Sequence, residues 1–330
     1  MPIINRSSIA FKIVSLLLIV LIFGIIGKVF LENWHKIPFK DLTFNYKILS
    51  VAFLFSILNP AISALLWQYI FRLIGEKPSF ISCWRINTYS QIVRYIPGKV
   101  WQYMGKIYWG KKIGISEKKI ILSTLLETIF LLSGAFIISL FSIKHLISNQ
   151  FISKGFFYLV GVIILGTILF LHPRFLEKVI NTLGKKWIVN PVHLQFSFGH
   201  IIFIVSLFTL QWISIGTQFY LFILSFYKIT INQFFYFISS NAASWLIGFL
   251  SIVPGGIVVK EGVFAFLFKR IVPVSFAIMC AILIRLFTLL TEVLITVVFF
   301  LLDRGAWQNL LEFRKSSPEL RTESDDEKTD

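Results

Sequence analysis

The chain is poor in charge. Of its 330 residues 15% are Asp, Glu, Lys or Arg, against about a quarter in ordinary soluble domains. A large water-soluble domain needs more charge than that, so this class is excluded. Acidic residues are scarcer than basic ones, 16 against 32. The two cysteines, Cys83 and Cys280, are far apart in apolar surroundings, which excludes zinc-ligand spacing and a redox motif and leaves buried thiols. The five histidines (His35, His145, His172, His193 and His200) are isolated, and none has metal-site spacing. There is no Walker A loop, no nucleotide glycine fingerprint and no Ser-His-Asp arrangement. The expectation is a protein that is not an enzyme, with no metal, no cofactor and no use of ATP within the chain.

What is present is apolar. Hydrophobic residues make up 56% of the chain and the mean hydropathy is +0.80. Several runs exceed the roughly 18 apolar residues that mark a spanning helix. The predicted fold class is an all-α polytopic membrane protein with about six full spans, at 11–31, 48–74, 119–143, 155–172, 199–226 and 274–302. The first resembles a signal peptide, with Arg6 and Lys12 before an apolar run. It lacks a clean cleavage site and runs on to Phe30, so an uncleaved span is expected.

Two further segments are too interrupted to cross simply. In 79–112, Asn87, Gln91 and Arg94 share a helical face before the Pro97-Gly98 break. In 231–272, the small and polar run Ser239 to Ser244 precedes Pro254-Gly255-Gly256. A second glycine follows each proline by eight residues, Gly105 and Gly262. A broken helix persists in a membrane only where protein or water satisfies the freed backbone groups, and paired breaks in two halves point to a substrate path. Both segments are predicted to be re-entrant helix-break-helix hairpins, placed in an inverted repeat with halves at about 48–143 and 199–302. One transmembrane domain would then cover 1–303, followed by a polar, acidic, disordered tail over 304–330.

The net charge of +16 does not imply nucleic acid, because the cations sit in loops and no basic soluble domain exists to hold a duplex. It implies orientation and attraction to anionic lipid. With the N-terminus inside, the inner loops carry 20 Lys and Arg and the outer segments 9. This places both termini in the cytoplasm and the protein in the cell (inner) membrane, with the first hairpin entering from inside and the second from outside. Lys260, Lys269 and Arg270 run against the rule.

Arg94 and Lys99 flank the first break. They either favour a phosphate there, together with exposed N–H groups, or snorkel to the interface. Lys260 and Glu261 follow the second break. They are either an interfacial dipeptide or a site in which Glu261 ligates a cation or meets an arginine across the bundle. Glu127, Arg285 and Glu292 lie inside full spans, where a charge costs about 2.5–3.5 kcal/mol on insertion scales. Glu127 lies thirty residues beyond Pro97 and Arg285 thirty-one beyond Pro254, so symmetry would give them equivalent places. They form either a gate along a path or a structural ion pair that holds the bundle together. Trp and Tyr residues such as Trp101, Tyr103, Tyr108 and Trp109 fit an interfacial aromatic belt.

The stretches Tyr95-Ile-Pro-Gly-Lys-Val-Trp101, Leu125-Leu-Glu127, Gly248-Phe-Leu-Ser-Ile-Val-Pro-Gly-Gly256, Lys260-Glu-Gly262 and Ile284-Arg285-Leu286 carry a resemblance. Over roughly 48–302 the chain resembles the transmembrane region of lysylphosphatidylglycerol synthases and the stand-alone flippase-like proteins related to it. The resemblance implies a helical bundle with two re-entrant segments that moves phospholipid or lipid-linked headgroups between leaflets. The chain departs from it at Gly98-Lys99, where many relatives carry a small residue and Arg, and at Thr128, where they often carry Arg. The aminoacyl-transferring domain is absent after residue 304, so synthesis of lysylphosphatidylglycerol is not expected. The expected partners are membrane lipids with anionic or zwitterionic headgroups, with a homo-oligomer or a membrane-enzyme partner also open. The rival readings are transport of polyprenol-linked sugars, an enzyme acting on headgroups, and a non-transporting partner or scaffold.

Overall fold

A computed structural model of the protein describes residues 44–92, 101–146, 154–183, 197–251, 256 and 259–302. The predicted first span at 11–31, the residues Arg94, Pro97, Gly98, Lys99, Pro254 and Gly255, and the tail from 304 lie outside the described residues.

The described chain is helical. Its helices are α1 (Tyr46–Leu73), α2 (Phe80–Ile92), α3 (Trp101–Lys112), α4 (Glu117–Leu146), α5 (Lys154–Phe170), α6 (Pro173–Leu183), α7 (Phe198–Leu224), α8 (Phe234–Leu250), α9 (Val259–Phe268) and α10 (Val274–Leu302), with one 3₁₀ turn at Ile231–Gln233. Helix is the form in which an apolar segment satisfies its own backbone. Hydroxyls inside these helices follow the same logic. Ser133 donates to Ile129 O at 2.8 Å, Thr209 to Val205 O at 2.8 Å and Thr296 to Glu292 O at 2.7 Å, so no polar group faces the hydrocarbon unpaired at these sites.

Among the described residues four helices are long and apolar enough to cross a membrane: α1, α4, α7 and α10. They match the predicted spans at 48–74, 119–143, 199–226 and 274–302. The predicted span at 155–172 is α5, whose 17 residues rise about 25 Å, somewhat short of a 30 Å hydrocarbon core. The stretch 173–183, outside the predicted spans, is the helix α6. Its Leu176 is buried while Phe175 is exposed. Two of the isolated histidines have local structural partners. His172 Nδ1 accepts from the Arg174 amide at the start of α6, and Ser197 Oγ and His200 Nδ1 bond at 2.8 Å at the start of α7.

α1 and α7 pack antiparallel along their length. The Asn45 amide donates to Ser225 O at 2.7 Å at one end, and the Tyr69 and Phe203 rings meet at 5.9 Å at the other. Between them Asn59 Nδ2 donates to Gln218 Oε1 at 2.6 Å, and Ser214 Oγ donates to Asn59 Oδ1 at 2.7 Å. Asn59 precedes Pro60, which removes one backbone hydrogen bond from the middle of α1.

The short helices form two antiparallel pairs. α2 packs on α3, with the Tyr89 and Trp109 rings 5.0 Å apart, and α8 packs on α9, with Tyr236 Oη donating to Leu267 O at 2.7 Å. α4 covers α7 and α8, while α10 covers α1 and α2. Exchanging α1–α4 with α7–α10 therefore maps each of these packed pairs onto another.

Candidate functional site

The two helix pairs each place one charged residue against the long helix that follows. In the first half this residue is Lys106 of α3, about one and a half turns into the second limb. Its Nζ donates to Glu127 Oε2 of α4, and the two side chains are 4% and 11% exposed. The ammonium also sits 4.3 Å from the centre of the Trp67 ring of α1, a cation–π contact that offsets part of its lost hydration. Cys83 of α2 closes the same volume. It is fully buried, in one apolar cluster with Trp67 and Trp109. The close approach of α3 to α4 depends on Gly110, where a Cβ would stand 2.6 Å from Ile120 Cδ1.

In the second half the residue is Glu261 of α9. Arg285 of α10 donates from Nη1 to Glu261 Oε1 at 3.3 Å, with side chains 23% and 13% exposed. This pair lines a small cleft with Asn241 of α8, Lys260, Phe264 and Ile284. Asn241 is buried, and Lys260 Nζ lies 5.8 Å from the centre of the Phe219 ring. Gly256, between α8 and α9, is drawn tightly onto α8. Gly256 has φ +61, and a Cβ there would stand 2.7 Å from Gly248 O. Only glycine meets both demands without strain.

The expected direct partnership of Glu127 and Arg285 is replaced by two partnerships within the halves. Glu127 bonds Lys106, and Arg285 bonds Glu261. Glu261 meets an arginine, but one on the next helix of the same half rather than across the bundle. Glu292 lies on α10 two turns from Arg285 and is half-buried. Sequence reasoning missed Lys106. It stands among Lys99, Lys111, Lys112, Lys118 and Lys119, whose charges were read together as orienting the chain, and its neighbours Tyr103 and Trp109 were absorbed into an aromatic belt. The available signal was Lys106 at helical spacing from Tyr103, Trp109 and Gly110, which is one apolar face.

The order of charge is reversed between the halves: base on the short helix and acid on the long one in the first, acid then base in the second. The helices facing these pairs add polar groups. On α2, Asn87, Thr88 and Ser90 are buried, and both side-chain polar atoms of Asn87 are without a hydrogen-bond partner among the described residues. A dry, unpaired amide of this kind costs about 1–3 kcal/mol, so such a position favours water or a ligand.

Beyond this geometry, the family model of the lysylphosphatidylglycerol synthase transmembrane region matches residues 9–296. The chain belongs to that family. No individually curated protein matches it. Membership agrees with the helical membrane architecture and with the resemblance carried by the Pro-Gly and Glu-Gly stretches. Every site residue above lies within the matched range.

Proposed function

We propose that this multi-pass membrane protein moves phospholipid or lipid-linked headgroups between leaflets, through a path lined by its two helix pairs. The observation that carries this reading is the pair of buried or half-buried ion pairs, each joining a short helix to the long helix after it, with the charge order reversed. Buried charges are expensive in a membrane interior and generally face a cavity or a pathway there. A headgroup phosphate can compete for Lys106 or Arg285, and a headgroup amine for Glu127 or Glu261. Such exchange keeps the site neutral when empty and replaces headgroup hydration when loaded, while the acyl chains stay in lipid.

The antiparallel packing of α1 on α7, and the exchange of packed pairs between α1–α4 and α7–α10, support an inverted repeat. In that arrangement the breaks near Pro97 and Pro254 are re-entrant turns on opposite sides, the first cytoplasmic and the second external. The termini are cytoplasmic, and the chain works as a carrier and not as an enzyme. Cysteines placed at 98 and 255 should then label from opposite sides of sealed vesicles, and labelling from one side refutes the inversion.

Leaflet exchange tests the function itself. The full chain is reconstituted with labelled phospholipids and, separately, labelled polyprenyl phosphates, and exchange is compared for wild type, Glu127→Ala and Arg285→Ala. The expected outcome is exchange above empty vesicles for at least one lipid, reduced in both variants. A folded wild type with no exchange of any lipid overturns the proposal. A reversed pair, Lys106→Glu with Glu127→Lys, separates path from scaffold: a structural pair tolerates reversal, whereas a headgroup path loses exchange while the fold persists.

A further inference from the structure

Where α10 stops, the bundle presents a surface rich in positive charge. It is built from the end of α1 with the turn after it, 72–77, and from the end of α3 with the start of α4, 111–119. Lys119 Nζ bonds Glu76 Oε1 at 2.6 Å, which joins the two stretches into one surface. Lys111 Nζ bonds Glu117 Oε2 at 3.1 Å within the second. Together the two stretches hold six basic residues and two acidic ones. The excess of four belongs to the surface as a whole, whichever of its side chains are paired. Lys77 and Lys118 are exposed on it.

The chain leaves α10 beside this surface. Phe299 lies in one apolar cluster with Phe71 of α1, Ile115 and Ile120 of α4, and Leu302 follows three residues later. Beyond it the charges are segregated. The stretch 303–322 holds three acidic and four basic residues, whereas 323–330 holds five acidic and one basic. The second stretch therefore carries an excess of four of the opposite sign to the surface. Glu323 is 21 residues beyond Leu302, a reach of up to about 70 Å when extended. The whole of α1, 28 residues, rises only about 42 Å, so reach is not limiting. Attachment to the same chain raises the local concentration of the segment, and several individually weak surface pairs can then persist together.

We propose that the acidic segment 323–330 folds back on this surface and forms an electrostatic latch across the ends of α1, α3 and α4. The latch rests on the opposed charges and on the point where the chain leaves α10, and it requires neither lipid nor transport. It occupies the surface with the chain's own carboxylates, so an acidic partner has to displace 323–330 to reach it. Such a contact weakens with salt, as the screening length falls from about 10 Å at 0.1 M to about 3 Å at 1 M.

The test is carbodiimide crosslinking of the full chain in phosphatidylcholine nanodiscs, which joins a carboxylate to a lysine amine in contact with it, read by peptide mapping. Isotopically heavy and light chains are mixed, so that links within a chain are told from links between chains. Links within one chain should join 323–327 to lysines of 77 and 111–119, and they should fall about fivefold or more between about 0.1 M and 1 M salt. Asp325→Asn, Asp326→Asn and Glu327→Gln together remove three carboxylates and leave Glu323 as the reporter. They should lower the Glu323 links by about fivefold, the sum of three surface pairs. Lys77→Glu with Lys118→Glu should lower the remaining links to Lys111 and Lys112 to a similar degree. Both lysines are exposed, so this variant reads the contact without threatening the fold. Absence of links from 323–327 to this surface overturns the proposal. So do links that form only between chains, and links that are unchanged in both variants and in 1 M salt.

Discussion

Replacing Lys106 with methionine keeps the length of the side chain and removes only its charge and hydrogen bond. In the wild type the ammonium is 4% exposed, bonds Glu127 and lies against Trp67. In Lys106→Met the Glu127 carboxylate, 11% exposed, retains no cation among the described residues. Removing one partner of a buried pair costs about 3–5 kcal/mol, because the other charge stays desolvated. At about 1.5 °C per kcal/mol for 330 residues, from an unfolding entropy of about 2 cal/mol/K per residue, the unfolding midpoint should fall by roughly 4–8 °C. Removing both charges is different. Lys106→Met with Glu127→Leu fills the space with apolar groups, which is often neutral relative to the pair. The double variant should therefore recover most of the loss, and the double-mutant cycle should give a large coupling. The assay is thermal unfolding in detergent, followed by size-exclusion fluorescence of wild type, both single variants and the double. Single losses below about 1 kcal/mol that simply add would show a solvated pair of the kind found on surfaces. That result would refute the buried-pair reasoning and the exchange mechanism built on it.

Arg285→Met should show the same pattern at smaller size, since its pair with Glu261 is more open at 23% and 13% exposure. Asn59→Leu breaks the Asn59–Gln218–Ser214 contact between α1 and α7 and should cost about 1–3 kcal/mol, with Gln218→Leu in the same chain restoring part of it on the same unfolding assay. Gly256→Ala must hold φ +61 with its Cβ 2.7 Å from Gly248 O, so a loss of about 1–3 kcal/mol is expected, visible as a lower midpoint and a poorer monodisperse fraction. Cys83 and Cys280 are both fully buried, so neither should react with a maleimide until the protein is denatured; rapid labelling of either would contradict the packing of α2 or α10.

Part of the fold was legible because its physics is local. Four of the predicted spans correspond to α1, α4, α7 and α10, since length and apolarity alone decide whether a helix suits a bilayer. The segments 79–112 and 231–272 were separable as short, interrupted helices for a related reason, as proline removes a backbone donor wherever it stands. The string Ser239 to Ser244 was also readable as unusual for a spanning helix, and α8 buries all six of these residues between its neighbours. Less legible was α6, whose Leu176 is buried among residues distant in sequence, within a stretch whose charges suggested a loop.

The sequence by itself determined the membrane class, the helical state and the presence of intramembrane charge, all of which follow from the cost of exposing backbone and charge to hydrocarbon. Only the tertiary structure decided which charges meet. Lys106 and Glu127 are 21 residues apart, and Glu261 and Arg285 are 24 apart. Hydropathy assigns each of them a cost but no partner. The partner is set by how α3 packs on α4 and α9 on α10, with Gly110 facing Ile120 between the first two, while Gly248 and Gly256 hold the start of α9 close to α8. A symmetry argument from spacing alone placed Glu127 opposite Arg285. Packing within each half brought a nearer opposite charge to each, and a buried charge is satisfied by the counter-charge that packing places against it.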